Sequence, residues 1–295
     1  MNIVSIYGGL GNQMFQYALY VSLKEDKLKT GLSLSEFLHE YHHNGFNLGE
    51  AFHLHLPFPE SIICSFLLNG KIVYKNRIGR AFFRRSLEFY KEKLLKVYKE
   101  KAEFVYDHAL FQQKSSLLIG TWQVEDYFKK NKALLLKEFD FRIPADEKNK
   151  ALIKILNATN SISIHVRRGD YLSSEYFKSH TVIKDATYYK DAINYLEKNI
   201  EDPHYFIFSD DIEWVRQNLY LQNSTVVDYN TGNKSYIDMY LMSLCKHNII
   251  ANSTFSWWGA WLNRNEKKIV IMPDKWLNHV QAPGIFPPEW IKLSV

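Results

Sequence analysis

Ser161-Ile-Ser-Ile-His-Val-Arg-Arg-Gly-Asp170 is an apolar run of strand type that stops abruptly at two guanidinium groups and a glycine. In an open α/β sheet, ligands bind just beyond the carboxyl ends of the strands. Arginine presents a planar fork of donors matched to phosphate oxygens, so Arg167 or Arg168 at such an end points to a phosphorylated ligand. The competing reading is a surface arginine pair at a turn. A second segment shifts the balance. Asn248-Ile-Ile-Ala251 reads as a short buried strand, and Asn252-Ser-Thr-Phe-Ser-Trp-Trp258 opens a helix with a hydroxyl-rich start. A helix start of this kind binds anions through N–H groups that lack intrahelical acceptors.

The same alternation runs through the rest of the C-terminal half. Apolar strands are expected at 161–166, 205–208, 225–228, 248–251 and 269–272, with helical patterns between them. Strand and helix alternating at this pitch predict a parallel, doubly wound sheet. Arg167, Ser209-Asp-Asp211 and Ser253-Thr254 each follow a strand, so three separated segments converge on one pocket. Asp210 and Asp211 either cap the helix that starts at 212 or hold a metal. Capping is favoured, because one adjacent pair supplies few of the oxygens that Mg²⁺ takes. Asp238 interrupts the otherwise apolar helical segment 235–244. It either accepts from the N1 and N2 donors of guanine or is a partly buried acid satisfied by backbone or Tyr236. Phe255, Trp257, Trp258 and Trp261 recur at helical spacing and read mostly as core.

The N-terminal half opens as a strand over 3–7, the turn Gly8-Gly-Leu-Gly-Asn-Gln13, and a helix over about 14–23. The spacing is not GxGxxG and no acid closes a second strand at the expected distance, so no nicotinamide or flavin cofactor is expected. The glycines allow a tight turn, with Asn12 and Gln13 offering amides to a polar substrate; alternatively the segment is simply a strand-to-helix turn. A strand is expected at 116–119, with Gly120-Thr-Trp-Gln123 at its end and a helix over about 125–138. Phe141-Arg-Ile-Pro144 breaks that pattern before a helix through 152–156. The domain boundary is placed near 155, giving units 1–155 and 156–295.

With 295 residues, 46% of them hydrophobic, the chain can bury two cores. Cys64 and Cys245 lie far apart in apolar surroundings and read as reduced core thiols. The short apolar start does not resemble a signal peptide and no run is long enough to span a bilayer, so a cytoplasmic protein is expected. Histidines at 39, 42, 43, 53 and 55 have no HExxH context and few acids nearby, so no metal is expected. The net charge of +5 is concentrated between residues 71 and 101, where lysines and arginines interleave with apolar residues. This suits an amphipathic helix with a solvated outer face; peripheral docking on an anionic membrane is the alternative. Nucleic acid is not an expected partner, since the charge excess is local.

Four blocks together resemble the α-1,2-fucosyltransferases of glycosyltransferase family 11. They are Gly8-Gly-Leu-Gly-Asn-Gln-Met-Phe-Gln-Tyr-Ala18, His165-Val-Arg-Arg-Gly-Asp-Tyr171, Phe208-Ser-Asp-Asp211 and Asn252-Ser-Thr-Phe-Ser-Trp-Trp-Gly-Ala-Trp-Leu-Asn263. The resemblance implies a GT-B architecture of two facing Rossmann-like domains with parallel sheets, a helical insertion in the first, and metal-independent transfer with inversion. It implies a GDP-β-L-fucose donor held by the C-terminal domain through His165, Arg167, Asp210, Asp238, Ser253, Thr254 and Phe255. Arg167 is the expected contact to the diphosphate and Asp238 the guanine-binding acid. The acceptor, a terminal β-galactoside of a surface glycan, is expected toward the N-terminal domain, at Asn12, Gln13, Trp122 and Gln123. Arg167 and Asp170 are the catalytic candidates, with Glu125 and Asp126 as further candidates for general base. Two rivals are a GT-B transferase with another GDP-sugar or linkage, and a non-catalytic protein that binds sugar nucleotides or glycans.

Overall fold

Short apolar runs ending in glycine or polar turns become parallel strands here, because each is followed by a segment long enough to cross back over the sheet. The computed structural model describes residues 1–34, 45–54, 96–172 and 177–295, and the side chain of Asp170 lies outside this set. The chain divides into two units, Met1–Asp140 and Phe141–Val295.

In the first unit, β1 (Asn2–Ser5) leads through Gly8 into α1 (Leu10–Glu25) and back to β2 (Thr30–Ser33). The short α2 (Leu48–Ala51), β3 (Lys96–Lys99), β4 (Ser116–Ile119) and α3 (Lys132–Glu138) follow. The strands pair in parallel in the order β2-β1-β4-β3. From Leu10 to Leu23, Asn12 is the one α1 residue that is not buried. A helix apolar on nearly every side belongs inside a core rather than on a surface.

The second unit begins with α4 (Glu147–Ala158), capped by the Asp146 carboxylate on the Asn149 amide at 2.9 Å. Then come β5 (Asn160–Val166), the short α5 (Phe177–His180) and α6 (Thr187–Glu197). After these lie β6 (Pro203–Ser209), α7 (Ile212–Asn218), β7 (Ser224–Val227) and α8 (Tyr236–Leu244). The last elements are β8 (His247–Ile249), α9 (Thr254–Leu262), β9 (Val270–Pro273) and β10 (Ile291–Leu293). The sheet order is β10-β9-β8-β5-β6-β7, parallel throughout. Numbered within the unit, this is 3-2-1-4-5-6, the doubly wound order that leaves a crevice where the winding reverses, between β5 and β8.

Strand alternation sorts the side chains onto two buried faces, as a sheet covered on both sides requires. Ile162, Ile164, Tyr205 and Ile207 pack with Tyr189, Ile193 and Leu196 of α6. Phe206, Phe208 and Val227 pack on the opposite face with Leu152, Leu156, Ile237 and Leu241. Trp257, Trp258 and Trp261 of α9 are fully buried, as their spacing predicted, and Trp257 Nε1 donates to the Ile285 carbonyl at 2.8 Å. Cys245 is a buried free thiol, and Cys64 lies outside the described residues.

The five strands expected in the C-terminal half form near their predicted positions and β10 adds a sixth, while β2 and β3 are further strands of the first unit. Three expectations need correction. The units part between Asp140 and Phe141 rather than near 155, because Leu152 and Leu156 of α4 bury against the second unit's core. The helix expected over 125–138 is two 3-10 turns, Glu125–Tyr127 and Lys129–Asn131, followed by α3. Tyr127 and Phe128, adjacent in sequence, are both wholly buried, and Phe128 leaves the helical region at φ −138°. Finally, the basic segment expected to be helical through 101 has already become a strand at Lys96, since 96–99 pair residue by residue with β4. Its first part, 71–95, lies outside the described residues, as do the histidines at 39, 42, 43 and 55. Among the described residues no helix is long and apolar enough to cross a membrane.

Candidate active site

The crevice at the β5/β8 reversal takes its chemistry from the residues that follow each strand. Strand β5 ends in His165 and Val166, then delivers Arg167 and Arg168. Beside it, β6 ends at Ser209 and delivers Asp210 and Asp211. The side chains pair across the two strand ends. Arg167 Nε lies 3.2 Å from Asp210 Oδ2 and Arg168 Nε lies 3.3 Å from Asp211 Oδ2. Asp210 Oδ1 also accepts the Arg168 amide at 2.9 Å, while Asp211 Oδ1 caps α7 through the Trp214 amide at 3.1 Å.

The two arginines are therefore not equivalent. Arg168 is clamped by Asp211 and lies over the Trp214 ring with Cζ 4.4 Å from its centre. Arg167 stands over Tyr171 at 5.8 Å and lines, with Arg168, a shallow depression bounded also by Tyr171, His180, Thr181 and Asn252. Both arginines are ion-paired, and Arg167 is the more exposed of the two, its side chain 28% accessible against 16% for Arg168. Asp210, expected to bind the donor, is instead turned onto Arg167 and the turn behind it, which makes it a positioning residue. The helix cap expected of this acidic pair is provided by Asp211.

On the β8 side, Asn252 Nδ2 donates to the carbonyls of His180 and Trp276, fixing the approach to α9. Ser253 is the N-cap, with no side-chain bond to the helix, so its hydroxyl is not consumed by capping. Thr254 and Phe255 form the first turn, whose amides have no acceptors within the helix. The Phe255 ring lies 5.7 Å from that of His165. Burial, with the charge of Arg167 behind it, lowers the His165 pKa to about 3, so the imidazole is neutral at physiological pH. Its Nδ1 has no partner among the described residues. His165 and Arg167 thus follow β5, and Ser253, Thr254 and Phe255 follow the adjacent β8, with Arg168 a second cation beside Arg167.

Asp238 lies in the first turn of α8 and is held through a buried amide relay. Asn230 Nδ2 donates to Asp238 Oδ1 at 2.8 Å, and the Asn149 and Asn230 amides bond reciprocally at 2.9 and 3.1 Å. Burial pushes the Asp238 pKa up to about 7, against the opposing hydrogen bond from Asn230. A partly buried carboxyl with so perturbed a pKa is a candidate for a functional role. Asn149 and Asn230 escape sequence reading because polar residues in a helix and a loop carry no local mark of burial.

In the first unit the four expected acceptor residues separate. Gln13 is wholly buried and its amide is fully occupied, with Nε2 donating to the carbonyls of Gly8 and Gly45 and Oε1 accepting from the Asn47 amide. It is a structural staple and does not face a cleft. Gln16, which sequence reading passed over, does the same for the Tyr7 amide and the Gly120 carbonyl. Trp122 is also wholly buried, at a left-handed φ of 55°. Gln123 is 7% exposed and donates to Asn12 Oδ1 at 3.2 Å. Asn12 remains at the surface of the turn, where Gly8 at φ 77° leaves room for its side chain. Of the candidate bases, Asp126 pairs with Lys129 at the surface and Glu125 opens a 3-10 turn. Asp170 opens another, and its side chain is outside the described residues.

Comparison with known proteins places this geometry in context. Residues 102–294 match the family model described as glycosyl transferase family 11. An α-1,2-colitosyltransferase from Escherichia coli is 35% identical, over 99% of this chain and 98% of that protein. The O-antigen biosynthesis glycosyltransferase WbnK, also from Escherichia coli, is 30% identical over 97% of this chain and 98% of its own length. Galactoside α-(1,2)-fucosyltransferase 1 from Lagothrix lagotricha is 27% identical over 45% of this chain and 38% of that protein.

Proposed function

The chain belongs to glycosyl transferase family 11, and from that premise we propose that it transfers L-fucose from GDP-β-L-fucose to the 2-hydroxyl of a terminal β-galactoside, inverting the anomeric centre. The observation that carries this reading is Arg167, aimed by Asp210 at the carboxyl end of β5 in the same crevice as the start of α9. As the bond between the anomeric carbon and the β-phosphate lengthens, negative charge grows on the phosphate oxygens. A fixed guanidinium and first-turn amides are stabilisers that need no reorganisation at that moment. His165, being neutral, contributes a hydrogen bond rather than charge. Asp238 receives the guanine N1 and N2 donors, which favour the ionised form that burial disfavours. In this reading the departing charge is met by protein groups, without a metal.

The full-length similarity to an α-1,2-colitosyltransferase supports a second donor. Colitose lacks the 3-hydroxyl of fucose, so the two readings differ by one polar contact at the donor sugar. The similarity to an O-antigen biosynthesis enzyme supports a bacterial surface polysaccharide as the natural acceptor. The basic residues between 71 and 101 are the segment to test for contact with an anionic membrane.

Incubation of the purified protein with lactose and either GDP-fucose or GDP-colitose, with and without EDTA, tests the reading. The expected result is an α-1,2-linked product by NMR, formed equally well in chelator. Product from GDP-colitose alone would replace the donor. Hydrolysis without transfer, or no reaction with either donor, would overturn the assignment.

A further inference from the structure

Asn149, in the first turn of α4, and Asn230, just past the carboxyl end of β7, carry a buried hydrogen-bond chain in which both side-chain amides are saturated. Asn149 Nδ2 donates to the two Asp146 oxygens at 3.1 and 2.9 Å and to Asn230 Oδ1 at 2.9 Å. Asn230 Nδ2 donates to Asn149 Oδ1 at 3.1 Å and to Asp238 Oδ1 at 2.8 Å. Each amide thus uses both of its N–H bonds and its oxygen.

The far end of the chain fixes its direction. Turning the Asn230 amide over would set its oxygen against Asn149 Oδ1 and Asp238 Oδ1, and its nitrogen against Asn149 Nδ2. Turning both amides over would set the Asn149 oxygen against the Asp146 carboxylate, which only accepts. The bonds from the Asn149 side chain and amide hold the Asp146 carboxyl below the usual carboxylate range, so it stays ionised and keeps that preference. An N–H is therefore delivered to Asp238.

We propose that Asn230 is a positioning residue for the nucleotide base: it pins Asp238 Oδ1 and presents the rest of that carboxylate to the two donors of guanine, while Asp146, through Asn149, fixes which end of the Asn230 amide Asp238 meets. Oδ1 keeps a second lone pair, and Oδ2 has no partner among the described residues, so the pinned group still accepts from two N–H groups. A hydrogen bond to the charged form of an acid favours that form. Burial raises the Asp238 pKa and the Asn230 bond opposes the rise, so Asn230 extends the range over which the carboxylate is ionised. The charges near α8 come from α4 and the neighbouring turns, since α9, which also packs on it, carries no titratable residue. Lys148 Nζ lies 3.6 Å over the Tyr229 ring, and Lys234 acts on Asp146. Burial and the charges of Asp238, Asp146 and Asp228 push Tyr229 up to about 12, so it is neutral near physiological pH.

This inference rests on the guanine reading of Asp238, and its test keeps the two apart. GDP affinity of the whole chain is measured by calorimetry at about pH 6.5, 7.5 and 8.5 for wild type, Asn230→Ala and Asn149→Ala. Each variant is read as a ratio to wild type at the same pH, so the titration of GDP itself cancels. Asn230→Ala should bind GDP about tenfold more weakly near pH 6.5, for want of a hydrogen bond to the charged group, and within about threefold of wild type near pH 8.5, where the carboxyl ionises without it. Asn149→Ala keeps the α4 cap, which uses the Asn149 backbone amide, and should show the same pH trend by a smaller factor. Wild-type affinity at every pH in both variants would overturn the proposal. So would an equal weakening at every pH, which is what a merely structural loss produces. If Asn230→Ala does not fold, the Asn149→Ala profile decides by the same outcomes. GDP binding by wild type with no dependence on pH would refute the Asp238 contact, and no GDP binding by wild type would refute the nucleotide reading; either result removes the positioning role with it.

Discussion

Replacing Asp238 by asparagine should stabilise the free protein while removing nucleotide binding. Burial moves this carboxyl from 3.8 to about 7. The folded protein therefore keeps its proton across a window in which the unfolded chain has lost it. Stability from this group is fully present below pH 3.8, falls as pH rises through the window, and is gone above about 7. At about 1.4 kcal/mol per pKa unit, the ionised carboxylate costs on the order of 4 kcal/mol at pH 8. Asparagine can still present an oxygen to Asn230 Nδ2 and carries no charge to desolvate. The melting temperature of the variant should thus match wild type near pH 4 and exceed it by on the order of 5–10 °C at pH 8. Added GDP should raise the wild-type melting temperature at pH 8 and leave the variant unmoved. GDP affinity of wild type should weaken as pH falls below 7, when the carboxyl gains a proton and stops accepting from guanine. Differential scanning fluorimetry across pH, with and without GDP, reads all of this. A stability difference independent of pH would refute the burial argument, and undiminished GDP affinity in the variant would refute the guanine contact.

Arg167→Ala removes the charge proposed to face the leaving diphosphate and should lower kcat by about 100-fold or more, with the fold retained by circular dichroism; near-normal turnover would sink its catalytic role. Gln13→Ala leaves the carbonyls of Gly8 and Gly45 and the Asn47 amide without partners, at about 1–3 kcal/mol each. Urea denaturation should show that loss with the acceptor KM unchanged, whereas a raised KM with unchanged stability would restore Gln13 to the cleft. Trp257→Ala empties a fully buried site beneath the α9 start and should cost about 3–5 kcal/mol; a denaturation midpoint equal to wild type would show that the tryptophan cluster is not core.

The fold class was legible because it rests on local signals. Residues 161–166 alternate with a period of two and stop at Arg167, and each later strand is followed by a helical pattern, so a parallel sheet was the simplest solution. Family membership was legible for the same reason, since its blocks are contiguous. The strand β3 was not, because Lys96–Lys99 is lysine-rich and reads as helix until β4 lies beside it. The boundary at Asp140 was hidden as well, since nothing in α4 says which core its leucines will enter.

At the site, the sequence alone determined which chemistries were present: an arginine pair after a strand, an acidic pair after the next, a hydroxyl-rich helix start and a lone acid in an apolar helix. The tertiary structure decided which member of each pair does what. Arg168 is held by Trp214 and Asp211, while Arg167 pairs with Asp210 and is the more exposed of the two; Asp211 caps α7; Gln13 staples a turn; Glu100, unremarkable in sequence, becomes a partly buried carboxylate bonded to the Thr121 and Trp122 amides. The physical reason is that periodicity and turn chemistry act within a few residues along the chain. Burial, charge pairing and hydrogen-bond satisfaction act across strands that meet only when the sheet has formed.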